Sequence, residues 1–183
     1  MEPRLEIVEK PHPGSPVACE PWRPRGPAIA ARIMALIQAR LPETRIEHIG
    51  SSAVPGCAGK NFVDLLIPYV DAAHLRAIDG VLFALGFGRQ RRRDPFPDER
   101  PLRIGAIDWE GEVVPLHVHV VPADSPEIAE LMEFRDRLRA DPALCAAYVA
   151  QKRAILAAGI VDGASYAEAK GPFILAVLAG KGA

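Results

Sequence analysis

The amino-acid sequence predicts an α/β or α+β domain, a small mixed β-sheet with helices on one side or at one end. Three observations predict it. Apolar residues recur at helical spacing in two separate segments. Short apolar or alternating runs with the character of strands lie between and after them. The last third of the chain carries repeated helix-start signals and no strand pattern.

Taken in order, the first 27 residues hold seven prolines and read as extended or irregular. Ile29, Ile33, Leu36, Ile37 and Leu41 then mark an amphipathic helix ending near Pro42. Residues 45–49 read as a short strand, followed by the Gly50-Ser51-Ser52 loop and the buried strand NFVDLLIPY over 61–69. A second helix runs from Asp71 through Leu75, Ile78, Leu82 and Leu85 and closes at Gly86. GRQRRRDPFPDERP is a charged loop broken by prolines, and positions 89–100 have no assigned role. LRIGAIDW and VVPLHVHVV are two further strands, which the Glu110-Gly111-Glu112 segment pairs antiparallel. Ser125-Pro126 and Asp141-Pro142 each begin a helix, Ser165-x-x-Glu168 matches a capping box, and Gly171-Pro172 should bend or split the last helix.

Bulk properties narrow the function classes. A chain of 183 residues suits a single domain with a substantial core, and a net charge of −1 creates no field that favours nucleic acid or membrane. No dedicated nucleic-acid binding is expected. Cys19, Cys57 and Cys145 are far apart and form no C-x-x-C pair, which gives no support to a disulfide framework or a structural zinc site. No apolar run approaches the roughly 18 residues of a membrane span, and the proline-rich N-terminus lacks a signal-peptide core. A cytoplasmic location is expected.

The chemistry-bearing residues concentrate in RIEHIGSSAVPGCAGKNFVDLL, residues 45–66. Gly50 permits a tight turn, and the hydroxyls and amides of Ser51 and Ser52 suit phosphate oxygens. The P-loop pattern is missing, because Lys60 lies ten residues after Gly50 and Asn61 follows it. Lys60 either offsets phosphate charge or is solvated at a strand end. Asp64 stands among Phe62, Val63, Leu65, Leu66 and Ile67, where a carboxylate is costly unless paired or bound to a metal. A structural carboxylate bonded to the loop amides or to Lys60 is the alternative. His117 and His119 point to one face of their strand, with Leu116, Val118 and Val120 on the other, and their Cα atoms should lie roughly 6.5–7 Å apart. Such a pair can hold a metal, bind phosphate or move protons, and His48 could join it. The two H-x-[ST] units of two-histidine phosphoesterases are not there. Tyr148/Lys152, Tyr166/Lys170 and Arg135/Arg139 are each one helical turn apart. They read either as an exposed snorkelling surface or as cations facing an anionic ligand.

The stretches IEHIGSSAVPGCAGKNFVDLL, LHVHVV, FRDRLRADPALCAAYVAQKR and SYAEAKGPFI together resemble the GrpB family of bacterial proteins, over roughly residues 17–178. The resemblance implies one domain over 1–183: a nucleotidyltransferase-like mixed sheet with flanking helices over about 17–123, then C-terminal helices over 124–180. Some relatives form the C-terminal part of bacterial dephospho-CoA kinases. By similarity Gly50 and Ser51 occupy the phosphate turn, and Asp64 the first metal-binding carboxylate. The wider superfamily's second carboxylate is replaced by Leu66, and Asn61 departs from the family's usual proline. One aspartate cannot offset two divalent cations. Histidines suit a softer metal such as Zn²⁺ or Mn²⁺ better than Mg²⁺. The expected ligand is a nucleotide or other phosphorylated small molecule, a divalent metal is an open cofactor, and Asp64, His117 and His119 are the candidate catalytic or metal-holding groups. Gly50, Ser51, Ser52, Lys60, His48, Arg135, Tyr148, Lys152, Tyr166 and Lys170 are the candidate phosphate- or nucleotide-binding residues. A non-catalytic nucleotide- or coenzyme A-like binding domain is the competing expectation.

Overall fold

A computed structural model describes residues 17–90 and 95–180, together with the backbone of residues 7–8. Most of the proline-rich first sixteen residues and positions 91–94 of the charged loop lie outside the described residues. In chain order the elements are β1 (Ile7–Val8), α1 (Arg25–Gln38), β2 (Glu47–Ile49), a 3-10 turn over Ser51–Ala53, β3 (Val63–Tyr69), α2 (Ala72–Ala84), β4 (Gly88–Arg89), β5 (Leu102–Trp109), β6 (Glu112–Pro122), α3 (Pro126–Ala140), α4 (Pro142–Ala157) and α5 (Gly163–Leu178). The strands form one mixed sheet in the order β1-β5-β6-β3-β2, and β4 also pairs with β5. Among the described strands only β3 and β6 run parallel.

Strand alternation divides the two faces. Val63, Leu65 and Ile67 of β3 and Leu116, Val118 and Val120 of β6 pack on Ile29, Ile33 and Ile37 of α1 and Ile78 and Leu82 of α2. That face is the main core. On the other face Leu66 and Val121 pack with Ile49 and Ile128, so α3 covers one part of it. A third cluster joins Val54 and Cys57 of the loop to Leu138, Cys145 and Tyr148 on the C-terminal helices. The loop between β2 and β3 is thereby held between the sheet and α3–α5.

Several boundaries differ from the sequence reading, each for a physical reason. Helix α1 starts at Arg25, which places Pro27 in the first turn, where a missing N–H costs no intrahelical bond. Strand β3 starts at Val63 because Asn61 adopts a left-handed conformation (φ 56°) and its amide donates to the Pro21 carbonyl (2.9 Å). The β5–β6 hairpin turns through Glu110 and Gly111, both at positive φ, and gives the expected antiparallel pair. Ser165 does not cap α5: Asp162 does, accepting from the Ser165 N–H at 2.9 Å. Nor is α5 split at Gly171-Pro172, since the helix runs unbroken with Pro172 inside it. No helix among the described residues is long and apolar enough to cross a membrane.

Candidate functional site

The register of β3 against β6 places Asp64 opposite His117, and Leu66 opposite His119. Both imidazoles therefore share a face with Asp64. His117 Nδ1 lies 3.2 Å from Asp64 Oδ1, and His119 Nε2 lies 3.6 Å from the same oxygen. One potential ligand atom from each residue falls within 4.8 Å of the others. All three side chains are mostly buried, with 15–24% of each exposed. Burial works against the Asp64 carboxylate, but the contacts from His117 and His119 outweigh it and hold the group well below the usual carboxylate range. Burial pushes His119 the other way, toward the neutral ring; Arg100 adds to that push and Asp64 opposes it.

The turn beside Asp64 is built by close backbone approach. Gly50 has φ 72° and ψ −175°, a region almost confined to glycine, and a Cβ there would lie 2.7 Å from Asp64 Oδ2. Gly59 is constrained by contact alone: a Cβ there would come within 2.9 Å of the Ser51 Cβ. Glu20 and Gly59 exchange backbone hydrogen bonds, and the Trp22 indole donates to the Ser52 carbonyl at 3.0 Å. The N-terminal segment thus braces both ends of the loop.

Cations surround this turn in two roles. Lys152 of α4 is only 1% exposed, and its ammonium donates to Ser51 Oγ (3.1 Å), to Cys57 Sγ (3.4 Å) and to the Ala58 carbonyl. It holds the turn from behind. Lys60 lies over the Phe62 ring (4.6 Å), and Phe62 in turn meets His117 edge-on (5.2 Å). Lys170 lies over Tyr166 (4.8 Å); burial, then repulsion from Lys60, pushes it down to about 8, with Asp64 opposing. Burial also lowers Lys60, against the attraction of Asp64. Two lysines on different elements are thus partly desolvated and feel each other's charge as well as that of Asp64.

The remaining predicted residues are placed elsewhere. His48 sits on the opposite face of the sheet from Asp64, paired in register with Leu65, and its Nε2 meets Ser52 Oγ at 3.0 Å. Burial lowers its pKa to about 4. Arg135 is committed to Glu47 and the His48 carbonyl (both 3.0 Å) and to Asp136, which ties α3 to β2. Arg139 donates to the Ala53 carbonyl (2.9 Å). Tyr148 is a core residue, stacked on Phe173 and edge-on to Phe134. Tyr166 is also buried, and its hydroxyl has no hydrogen-bond partner among the described residues; burial raises its pKa to about 12. The expectation of an exposed snorkelling surface is thus corrected for Arg135, Tyr148, Lys152 and Tyr166.

Two participants gave no sequence signal. Arg100 donates to Glu127 (2.9 Å through Nε, with a second contact through Nη2) and places Nη2 3.2 Å from His119 Nδ1. In the sequence Arg100 is one of several arginines in a charged loop, and Glu127 reads as a routine first-turn helix acid. Phe96 completes the wall, edge-on to His119 (6.4 Å) and 4.3 Å from the Arg100 guanidinium.

The donor set does not fit the paired Mg²⁺ ions implied by the nucleotidyltransferase resemblance. Leu66 is fully buried against Ile49, Val121 and Ile128 where a second carboxylate would stand. The cluster combines one carboxylate with two imidazoles. Magnesium favours oxygen, and two of these three donors are nitrogen.

Comparison with known proteins gives a consistent result. The model of the GrpB family (GrpB protein) matches residues 16–179. A UPF0157 protein of Streptomyces coelicolor is 32% identical over 148 residues, 81% of this chain and 74% of that protein. One from Deinococcus radiodurans is 32% identical over 142 residues, 78% of this chain and 70% of that protein. Among solved structures, GrpB from Enterococcus faecalis superimposes with a TM-score of 0.64 at 20% identity, covering 88% of this chain and 99% of that one. Cid1 in complex with its short product ApU superimposes at 0.51 and 12% identity, over 72% of this chain and 41% of that one. These likenesses show a nucleotidyltransferase-like fold.

Proposed function

The chain belongs to the GrpB family, and from that premise we propose that the Asp64 corner binds the phosphate groups of a nucleotide or another phosphorylated small molecule. The observation that carries this reading is the convergence of cations from separate elements on one glycine-built turn. Lys152 donates to Ser51, while Lys60 over Phe62 and Lys170 over Tyr166 are partly desolvated and feel the charge of Asp64. Crowded, partly desolvated ammonium groups lower stability unless an anion joins them, and a polyphosphate supplies the matching charge. Ser51 and the turn amides would receive phosphate oxygens, with Lys60 and Lys170 as counter-charges. Arg135 and Tyr148 serve this site only by holding α3 and α4 in place.

Nucleotidyl or phosphoryl transfer is the chemistry proposed at its reacting end. Asp64, held ionised, accepts from His117 Nδ1–H, an arrangement that orients an imidazole to take a proton from an attacking hydroxyl. Leu66 favours the second reading, a binding domain without turnover, because it removes the group that ordinary two-metal transfer requires.

A thermal-shift screen separates these readings. Nucleoside triphosphates, inorganic tripolyphosphate and coenzyme A would be tested, each with and without divalent metals, on wild type, Ser51→Ala and Asp64→Ala. Stabilisation by phosphorylated ligands that weakens in Ser51→Ala supports the binding site. Metal-enhanced stabilisation lost in Asp64→Ala supports transfer, and binding indifferent to metal supports the second reading. No stabilisation by any phosphate compound overturns the proposal.

A further inference from the structure

His119 lies between a carboxylate and a guanidinium. Its Nε2 faces Asp64 Oδ1 (3.6 Å), and its Nδ1 faces Arg100 Nη2 (3.2 Å). A guanidinium has five N–H donors and no acceptor, so the ring nitrogen facing it must accept. A neutral imidazole whose Nδ1 accepts carries its single proton on Nε2. That proton points at Asp64, into the space a metal shared by the three residues would occupy. Arg100 is itself fixed by Glu127 on α3 and lies over Phe96. A histidine that binds a metal ordinarily donates its other N–H to a carboxylate or carbonyl, and here the other nitrogen meets a donor.

We propose that Arg100, anchored by Glu127, is a positioning residue that fixes His119 as the Nε2–H tautomer, so that His119 faces the corner as a hydrogen-bond donor and the three residues do not act as a three-ligand metal centre. Asp64, His117 and His119 have the composition of a two-histidine, one-carboxylate site, and Arg100 is what opposes its use as one. The His119 Nε2–H then suits a phosphate oxygen or a departing oxygen of the ligand. The inference concerns the site of the previous section but stands apart from whether that ligand is a nucleotide, because its test uses no phosphate compound.

Long-range ¹H–¹⁵N NMR of the histidine rings at neutral pH reads the tautomer directly. In wild-type protein His119 should carry its proton on Nε2. Arg100→Met should release that preference and raise the affinity for Zn²⁺ or Co²⁺ by about tenfold or more, the scale on which such supporting groups act. Glu127→Gln should move both readouts the same way by less. Adding His119→Ala to Arg100→Met should abolish the gain. A wild-type His119 protonated on Nδ1 overturns the proposal, and so does a wild-type metal affinity equal to that of both Arg100→Met and Glu127→Gln. The wild-type spectrum decides the tautomer even if Arg100→Met fails to fold.

Discussion

At the scale of single residues, the site is defined by what each position excludes. Gly50 excludes any side chain, because its backbone conformation is almost restricted to glycine and its missing Cβ makes room for Asp64. Gly50→Ala should cost at least about 2 kcal/mol, from backbone strain alone, and denaturant unfolding would measure it. His48 excludes charge. With its pKa lowered to about 4 by burial, it is neutral in the folded protein near neutral pH, whereas the unfolded chain protonates it near the ordinary value of 6.5. Its contribution is therefore present above 6.5 and lost as pH falls toward 4. His48→Gln, which keeps a partner for Ser52 Oγ, should flatten stability across that window; an unchanged acid profile would contradict this placement. The chemistry of Asp64, His117 and His119 was legible as residue types and facing. Arg100 was not, because nothing in a run of arginines tells which one folds back onto a histidine.

At the scale of elements, the strands and the helix starts were readable because their causes are local. Alternation in LHVHVV sets which side chains face Asp64, and Ser125-Pro126 and Asp141-Pro142 carry caps that the structure uses. The capping box at Ser165 misleads because the helix begins one turn earlier, where Asp162 is the N-cap and its carboxylate accepts the Ser165 N–H. Pro172 misled for the opposite reason. Tertiary packing of Phe173 on Tyr148 holds α5 together through a residue that should break it. The Glu168 carbonyl lacks its helical donor at that point. Pro172 is exposed, so Pro172→Ala should restore the bond and raise stability by roughly 1–3 kcal/mol. A thermal melt no higher than wild type would show that the helix gains nothing there.

At the scale of the whole molecule, the sheet supplies Asp64 and the histidines, while the C-terminal helices supply Lys152 and Lys170. No sequence periodicity links residues 50–64 to residues 148–170. Their meeting depends on the loop packing of Val54 and Cys57 against α3–α5, which only the tertiary structure shows. We propose that the two parts meet to hold phosphates, and Lys170 is the residue on which this turns. Its pKa near 8 implies that an anion must bind the protonated form. Affinity should therefore hold below pH 8 and fall above it, by up to tenfold per pH unit. Lys170→Met should bind more weakly, lose that dependence, and melt no lower than wild type, since a crowded, desolvated charge has been removed. Isothermal titration of inorganic tripolyphosphate into both proteins from pH 6.5 to 9.5 is the decisive measurement. Tight binding to wild type that declines above pH 8, against weak and pH-independent binding to Lys170→Met, is the predicted result; equal affinities and equal pH profiles in the two proteins would contradict it.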